Sequence, residues 1–137
     1  YEANRYDIKG KEFLKSLENY YIVDIGLRNL FLGERTRDIG HILENIVYLE
    51  LLRRGYQVSI GKLDLLEVDF IAQKEDKRIY YQVSASVLDE KTYEREFAPL
   101  KKINDSYPKY VLTLDEFPMG EDGIEQKNII DFLLEEN

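Results

Sequence analysis

The chain has 137 residues, no cysteine, and 27 acidic against 19 basic side chains, for a net charge of −8. That length holds one domain whose core needs no disulfides, and a cysteine-free chain suits a reducing, cytoplasmic setting. The acidic surplus disfavours nucleic acid, whose non-specific binding rests on neutralising phosphates, and no run reaches the ~18 apolar residues of a membrane span.

The first residue is Tyr rather than Met, and no charged-then-apolar leader opens the chain, so a fragment of a longer protein is expected. Residues 1–137 are read as a single domain, with 1–35 a leading arm from an absent upstream region and 36–137 the core. In the arm, Ile8, Phe13 and Leu17 suit a short helix broken at Gly10, and Tyr20 to Val23 reads as a short strand. Asp38 is a plausible N-cap for a helix over 38–54, with Arg53 and Arg54 in the last turn and Gly55 closing it. Apolar residues nearly encircle this helix, so it should be largely buried.

Strands are expected near 57–60, 65–72 and 78–86, with Gly61 and the polar run 73–77 as turns. A second helix over 92–104 carries Tyr93, Phe97, Leu100 and Ile103 in one stripe, with Pro99 expected to kink or restart it. A strand over 109–114 follows Pro108. An acidic turn containing Gly120 and Gly123 then leads to a closing helix over 129–134. This order predicts an α/β fold, a mixed sheet with helices against its faces.

Strand alternation sorts the side chains. Leu66, Val68, Phe70 and Ala72 share one face and Glu67 and Asp69 the other. Likewise Ile79, Tyr81, Val83 and Ala85 oppose Tyr80, Gln82, Ser84 and Ser86. In a hairpin, Asp69, Gln82 and Ser84 converge. On the first helix Glu44 has Gly40, Val47, Tyr48 and Leu51 as angular neighbours, and a carboxylate there is costly to desolvate unless paired, hydrogen-bonded or metal-bound. A hydrogen bond from Tyr48 or an ion pair with an arginine satisfies Glu44 without any function. A strand-edge aspartate does the same for Asp69. His41, the single histidine, reads as a helix-surface or core-edge residue, since one imidazole makes no metal site.

The blocks 38–47 (Asp-Ile-Gly-His-Ile-Leu-Glu-Asn-Ile-Val), Arg54-Gly-Tyr56, Glu67-Val-Asp-Phe70, Tyr81-Gln-Val-Ser84, Arg95-Glu96 and Tyr107-Pro-Lys-Tyr110 together resemble a known family. It is the C-terminal domain of unknown function of bacterial and archaeal AAA-type (P-loop) ATPases. The resemblance implies a PD-(D/E)xK nuclease-like, restriction-endonuclease-like core. It assigns the helix glutamate to Glu44, the strand aspartate to Asp69 and the (D/E)xK triplet to Gln82-Val83-Ser84. In active relatives the acidic oxygens hold Mg²⁺ and the lysine assists the attacking water. Here Gln82 offers a neutral carbonyl and Ser84 no charge. Arg95 is a poor substitute, because the stripe turns Glu96 rather than Arg95 toward the core.

The expectation is therefore a vestigial catalytic and metal site of Glu44, Asp69 and Gln82, with Mg²⁺ possible there and ATP confined to the absent upstream domain, since no G-x-x-x-x-G-K-[ST] occurs. The implied role is a catalytically degenerate interaction or recognition domain whose partners are the upstream ATPase domain and another protein. A weak metal-dependent DNA nuclease and a structural or oligomerisation domain are the alternatives.

Overall fold

The computed structural model describes residues 2–8, 12–20 and 39–135. Seven strands and three helices alternate as β1 (Glu2–Asp7), β2 (Glu12–Tyr20), α1 (Ile39–Arg53), β3 (Gln57–Leu63), β4 (Leu66–Lys74), β5 (Lys77–Val83), α2 (Glu90–Lys101), β6 (Lys109–Thr113), β7 (Ile124–Asn128) and α3 (Ile129–Leu134). The strands form one mixed sheet in the order β2-β1-β3-β4-β5-β6-β7. β3, β4 and β5 form an antiparallel meander. β6 and β7 then join in parallel, as does β1 on the other side of β3. The expected α/β architecture, a mixed sheet flanked by helices, is present.

Two expectations for the chain ends need correction. Ile8, Phe13 and Leu17 do not build a helix: residues 2–7 and 12–20 supply β1 and β2, which pair antiparallel and extend the sheet of the core. The spacing of Ile8, Phe13 and Leu17, five and then four residues, does not choose between the two periods, and the pairing of β1 with β2 and with β3 decides for strand. The segment read as an acidic turn contains β7, whose sequence Ile-Glu-Gln-Lys-Asn lacks an apolar signal because only Ile124 of it is buried. Asp38 and residues 21–23, read as a cap and part of a strand, lie outside the described residues.

α1 ends as its sequence dictates. Gly55, at φ 88°, takes the left-handed conformation, and the N–H groups of Gly55 and Tyr56 donate to the carbonyls of Leu52 and Leu51, satisfying helix-end acceptors. α2 is capped by Asp89, whose carboxylate accepts from the Thr92 N–H. Pro99 does not restart the helix, which runs unbroken through it. It sits in the last turn, and the helix stops two residues later.

The sheet is covered on both faces. On one, Leu43, Val47, Tyr48 and Leu51 of α1 and Ile129 and Phe132 of α3 pack on Ile60, Phe70, Ala72, Tyr81, Val83 and Leu112. On the other, Phe97 and Leu100 of α2, with Ile103 and Val87, pack on Leu63, Val68, Ile71, Tyr80, Val111 and Ile124. Central strands sandwiched in this way lose the apolar/polar alternation of a half-exposed sheet. Tyr80, placed by alternation on a polar face, is therefore wholly buried. α1 itself is less enclosed than its composition suggests: Ile39 is 47% exposed, while the polar Asn45 is buried. Among the described residues, no helix is long and apolar enough to cross a membrane.

Candidate functional site

The site forms where β4 and β5 part company. β3 and β4 fall out of register between Ser59 and Gly61: Ser59 pairs with Ile71, but Gly61 with Val68, so β4 carries one extra residue in the span containing Asp69. Such bulges bend a strand and re-aim its side chains. Here the bulge separates Val68, which packs under α2, from Phe70 and Ala72, which pack under α1. The simple alternation that put all three on one face fails at this point. Gly61 supplies the room: a Cβ there would lie 2.9 Å from both Val68 Cβ and Ile8 Cδ1.

Side chains take over the hydrogen bonds that the strand ladder drops. Backbone pairing of β4 with β5 ends at Phe70–Tyr81. Beyond it, Asp69 Oδ2 accepts from the Val83 N–H at 2.8 Å, and Gln82 Oε1 accepts from the Asp69 N–H at 2.7 Å. The Gln82 amide donates in turn to the Glu96 carbonyl at 3.2 Å and the Glu67 carbonyl at 3.5 Å. Gln82 is 3% exposed and its amide is engaged at both ends. It ties β4 to α2 instead of presenting a free oxygen. Ser84 is also used internally, donating from Oγ to the Ser86 carbonyl.

Around this knot stand carboxylates: Glu67 is paired with Arg5 of β1, while Glu44, Asp69 and Glu96 have weaker compensation. Burial raises the Glu44 pKa, the nearby Glu67 adds to the rise, and His41, with Nδ1 3.4 Å from Glu44 Oε2, opposes it. His41 is 70% exposed, a helix-surface position. Burial pushes the Asp69 carboxyl well up, and the charges of Glu44, Glu96 and Glu67 push further against the Val83 N–H. Glu96 rises to about 7, chiefly through burial and then through Glu44, against the attraction of Arg95. Arg95 Nε lies 3.6 Å from Glu96 Oε1, yet its side chain is 71% exposed while that of Glu96 is 13% exposed. Thus the cation points to solvent and the anion inward, as the helical stripe of α2 predicts.

A cavity of about 380 Å³ opens over this region, lined by Lys62, Glu67, Asp69, Gln82, Arg95 and Glu96 among others. Three of these side chains, Lys62, Glu67 and Glu96, carry no site role in the sequence reading, Glu67 being placed only on the face of Asp69. Glu96 was placed only as the core-side neighbour of Arg95. Lys62 escaped because strand β3 was expected to end at Ile60. It runs to Leu63, and the tight turn at Asp64 and Leu65 sets Lys62 opposite Glu67. Knowing that turn would have revealed the pairing, and Asp64, at φ 55°, is a residue that tolerates it.

The donors fit a magnesium centre poorly. Among the described residues no group of three acidic or histidine side chains is placed to hold a metal ion. One Asp69 oxygen is taken by Val83 and the Gln82 oxygen by Asp69, while Mg²⁺ demands near-octahedral oxygen donors. Glu44, Asp69 and Gln82 are brought to one neighbourhood, but as a braced acidic knot and not as an open ligand set.

The chain is similar to an uncharacterized protein of Haemophilus influenzae, with 45% identity over 136 residues. The match covers 98% of this chain and 33% of that protein, so the chain spans about a third of the relative's length. No protein-family model matches the chain, and no solved structure matches it.

Proposed function

We propose that this chain is a nuclease-like domain that has lost catalysis and serves protein recognition, as the C-terminal module of an AAA-type ATPase in the cytoplasm. The observation that carries the reading is the use of Gln82: the residue at the ligand position of the nuclease pattern is spent on the Asp69 N–H and on the Glu67 and Glu96 carbonyls. The order α1-β3-β4-β5-α2-β6, with an antiparallel meander followed by a parallel strand, supports a restriction-endonuclease-like core. The relative, about three times as long as this chain, leaves room for an ATPase module. The net charge of −8 favours a protein over a polyanionic partner.

No step of phosphodiester hydrolysis can be drawn through these residues. Neither Ser84, which bonds its own loop, nor Arg95, which faces solvent, supplies the charge of the missing lysine, and the lysine that lines the cavity, Lys62, comes from β3 and not from the (D/E)xK triplet. Losing one positioned electrostatic group typically costs about 10²–10³ in rate. The test is a cleavage assay on single- and double-stranded DNA with Mg²⁺ and with Mn²⁺, using the protein and its Gln82→Glu/Ser84→Lys double variant. No cutting by the unmodified protein is expected. Metal-dependent cutting that Asp69→Ala abolishes would overturn the reading and favour the weak-nuclease alternative.

A further inference from the structure

The parallel strands β5 and β6 end in two loops, residues 84–89 and 114–123, that are sewn together by one buried carboxylate. Asp115 is 7% exposed. Its Oδ1 accepts from Ser86 Oγ at 2.6 Å, and its Oδ2 accepts from the Val87 N–H at 2.9 Å and from Gln126 Nε2 at 3.2 Å. The Leu114 N–H donates to the Ala85 carbonyl at 3.0 Å, Gln126 Oε1 accepts from the Met119 N–H, and Asn128 Nδ2 donates to the Asp115 carbonyl. Burial alone would raise the Asp115 pKa, yet these donors hold it below the ordinary aspartate value, so the carboxylate is charged and fully engaged.

What this scaffold holds up is apolar. Leu88 is 84% exposed, Phe117 83%, Met119 70% and Leu114 43%. These four are carried on two loops stitched side by side, and several large apolar side chains exposed on one ordered surface cost solvation and signal an interaction site. A platform braced by so many hydrogen bonds gives up little conformational entropy on binding. The rim is predominantly acidic. Besides the buried Asp115, residues 86–91 and 114–122 contain five acidic residues against one basic, the exposed Lys91. Asp89, Glu90, Glu116 and Asp122 are exposed, and Lys101 on α2 pairs with Glu121 and Asp122.

We infer that this platform docks a cationic amphipathic segment of a partner protein, its apolar side chains seated on Leu88, Leu114, Phe117 and Met119 and its lysines or arginines facing the acidic rim. The inference rests on the protein-recognition reading and adds the surface and the chemistry of the partner. Charge complementarity selects the occupant. A nucleic acid or an anionic membrane is repelled by the same carboxylates, and a second copy of this chain would set acidic rim against acidic rim.

The experiment uses the full chain and two synthetic helix-forming peptides with the same leucine stripe, one bearing lysines on its flanks and one glutamates. Binding is followed by fluorescence anisotropy and mapped by amide chemical shifts. The lysine peptide is expected to bind, with shifts confined to residues 84–90 and 114–123, and to weaken as salt is raised. Phe117→Ser with Met119→Ser should weaken it by about tenfold or more, the scale of losing an interface anchor. Glu116→Lys should weaken it while leaving the melting temperature unchanged. Equal binding of both peptides, no binding, or shifts located elsewhere would overturn the inference. So would self-association of the chain that the serine variant abolishes. DNA cutting by the same preparation would overturn the proposed function without bearing on this surface.

Discussion

Glu96 is the residue at which the electrostatics of the site become a measurable stability. Its side chain is 13% exposed, and burial, aided by Glu44, lifts its pKa from 4.5 to about 7. The folded state therefore holds this proton more tightly than the unfolded chain does. Its contribution is most favourable below pH 4.5 and is lost as pH rises, the loss being complete above about 7. At about 1.4 kcal/mol per pH unit, that interval corresponds to about 3 kcal/mol. Glu96→Gln keeps the shape and removes the charge. It forfeits the contact with the exposed Arg95, worth at most about 1 kcal/mol, and relieves the repulsion felt by Asp69. The variant should accordingly be more stable than the parent by about 1–3 kcal/mol at pH 8, and no more stable at pH 4.5. Urea unfolding at pH 4.5, 6 and 8 measures the difference directly. A variant less stable than the parent at pH 8, or an effect that does not change with pH, would refute the reasoning.

Gln82→Met preserves volume but strips the Asp69 N–H and two carbonyls of their partner. It should cost about 2–4 kcal/mol in urea melts, and a neutral result would deny Gln82 its bracing role. Arg54→Met removes a buried guanidinium that bonds Glu50 and the Phe132 carbonyl and lies 4.3 Å from the Phe132 ring centre. Glu50 keeps its two bonds to Arg53, so a loss of about 1–3 kcal/mol is expected, chiefly from the buried bond lost at the Phe132 carbonyl, with α3 gaining amide exchange first. Gly61→Ala drives a methyl into Val68 and Ile8 and should cost about 1–3 kcal/mol, visible as a lower melting temperature. The Asp115 carboxyl is held below its ordinary 3.8, so its support is present above that pH and is lost as pH falls through the lower folded value. Compared with the parent, Asp115→Asn should flatten the acid limb of the stability curve, as followed by circular dichroism.

The core elements were legible because their signals are local. Gly55 and the capping Asp89 mark helix boundaries, and Val, Ile and Tyr mark β3, β4 and β5. The arm was misread because its strands are fixed by pairing, β1 with β2 and, more than fifty residues away, with β3, and the spacing of its apolar residues does not encode that. β7 was missed for a similar reason, since it enters the sheet through backbone pairing with β6 and displays mostly polar side chains. At the site, Glu44 and Asp69 stood out as charges in apolar surroundings. The bulge at Asp69 was invisible to a period-two reading, and it is the bulge that turns Gln82 from a ligand candidate into a brace. Lys62 and Glu96 required the hairpin register and the α2 packing, which are tertiary facts.

The two short turns of the meander also set an expected order of assembly. β3, β4 and β5 are joined at Asp64 and at Glu75, both at φ 55°, so their pairings close loops of only a few residues and lose little chain entropy. The parallel partners need α2 to be crossed before β6 can dock, and β1 must wait for a contact spanning most of the first half of the chain. Contacts of such separation form late. On refolding from urea, pulse-labelled amides of β3 to β5 should acquire protection before those of β1 and β7. The acidic knot, which needs α1, α2 and the meander together, would then be assembled only near the end, with its repulsions met after the nucleus is already in place.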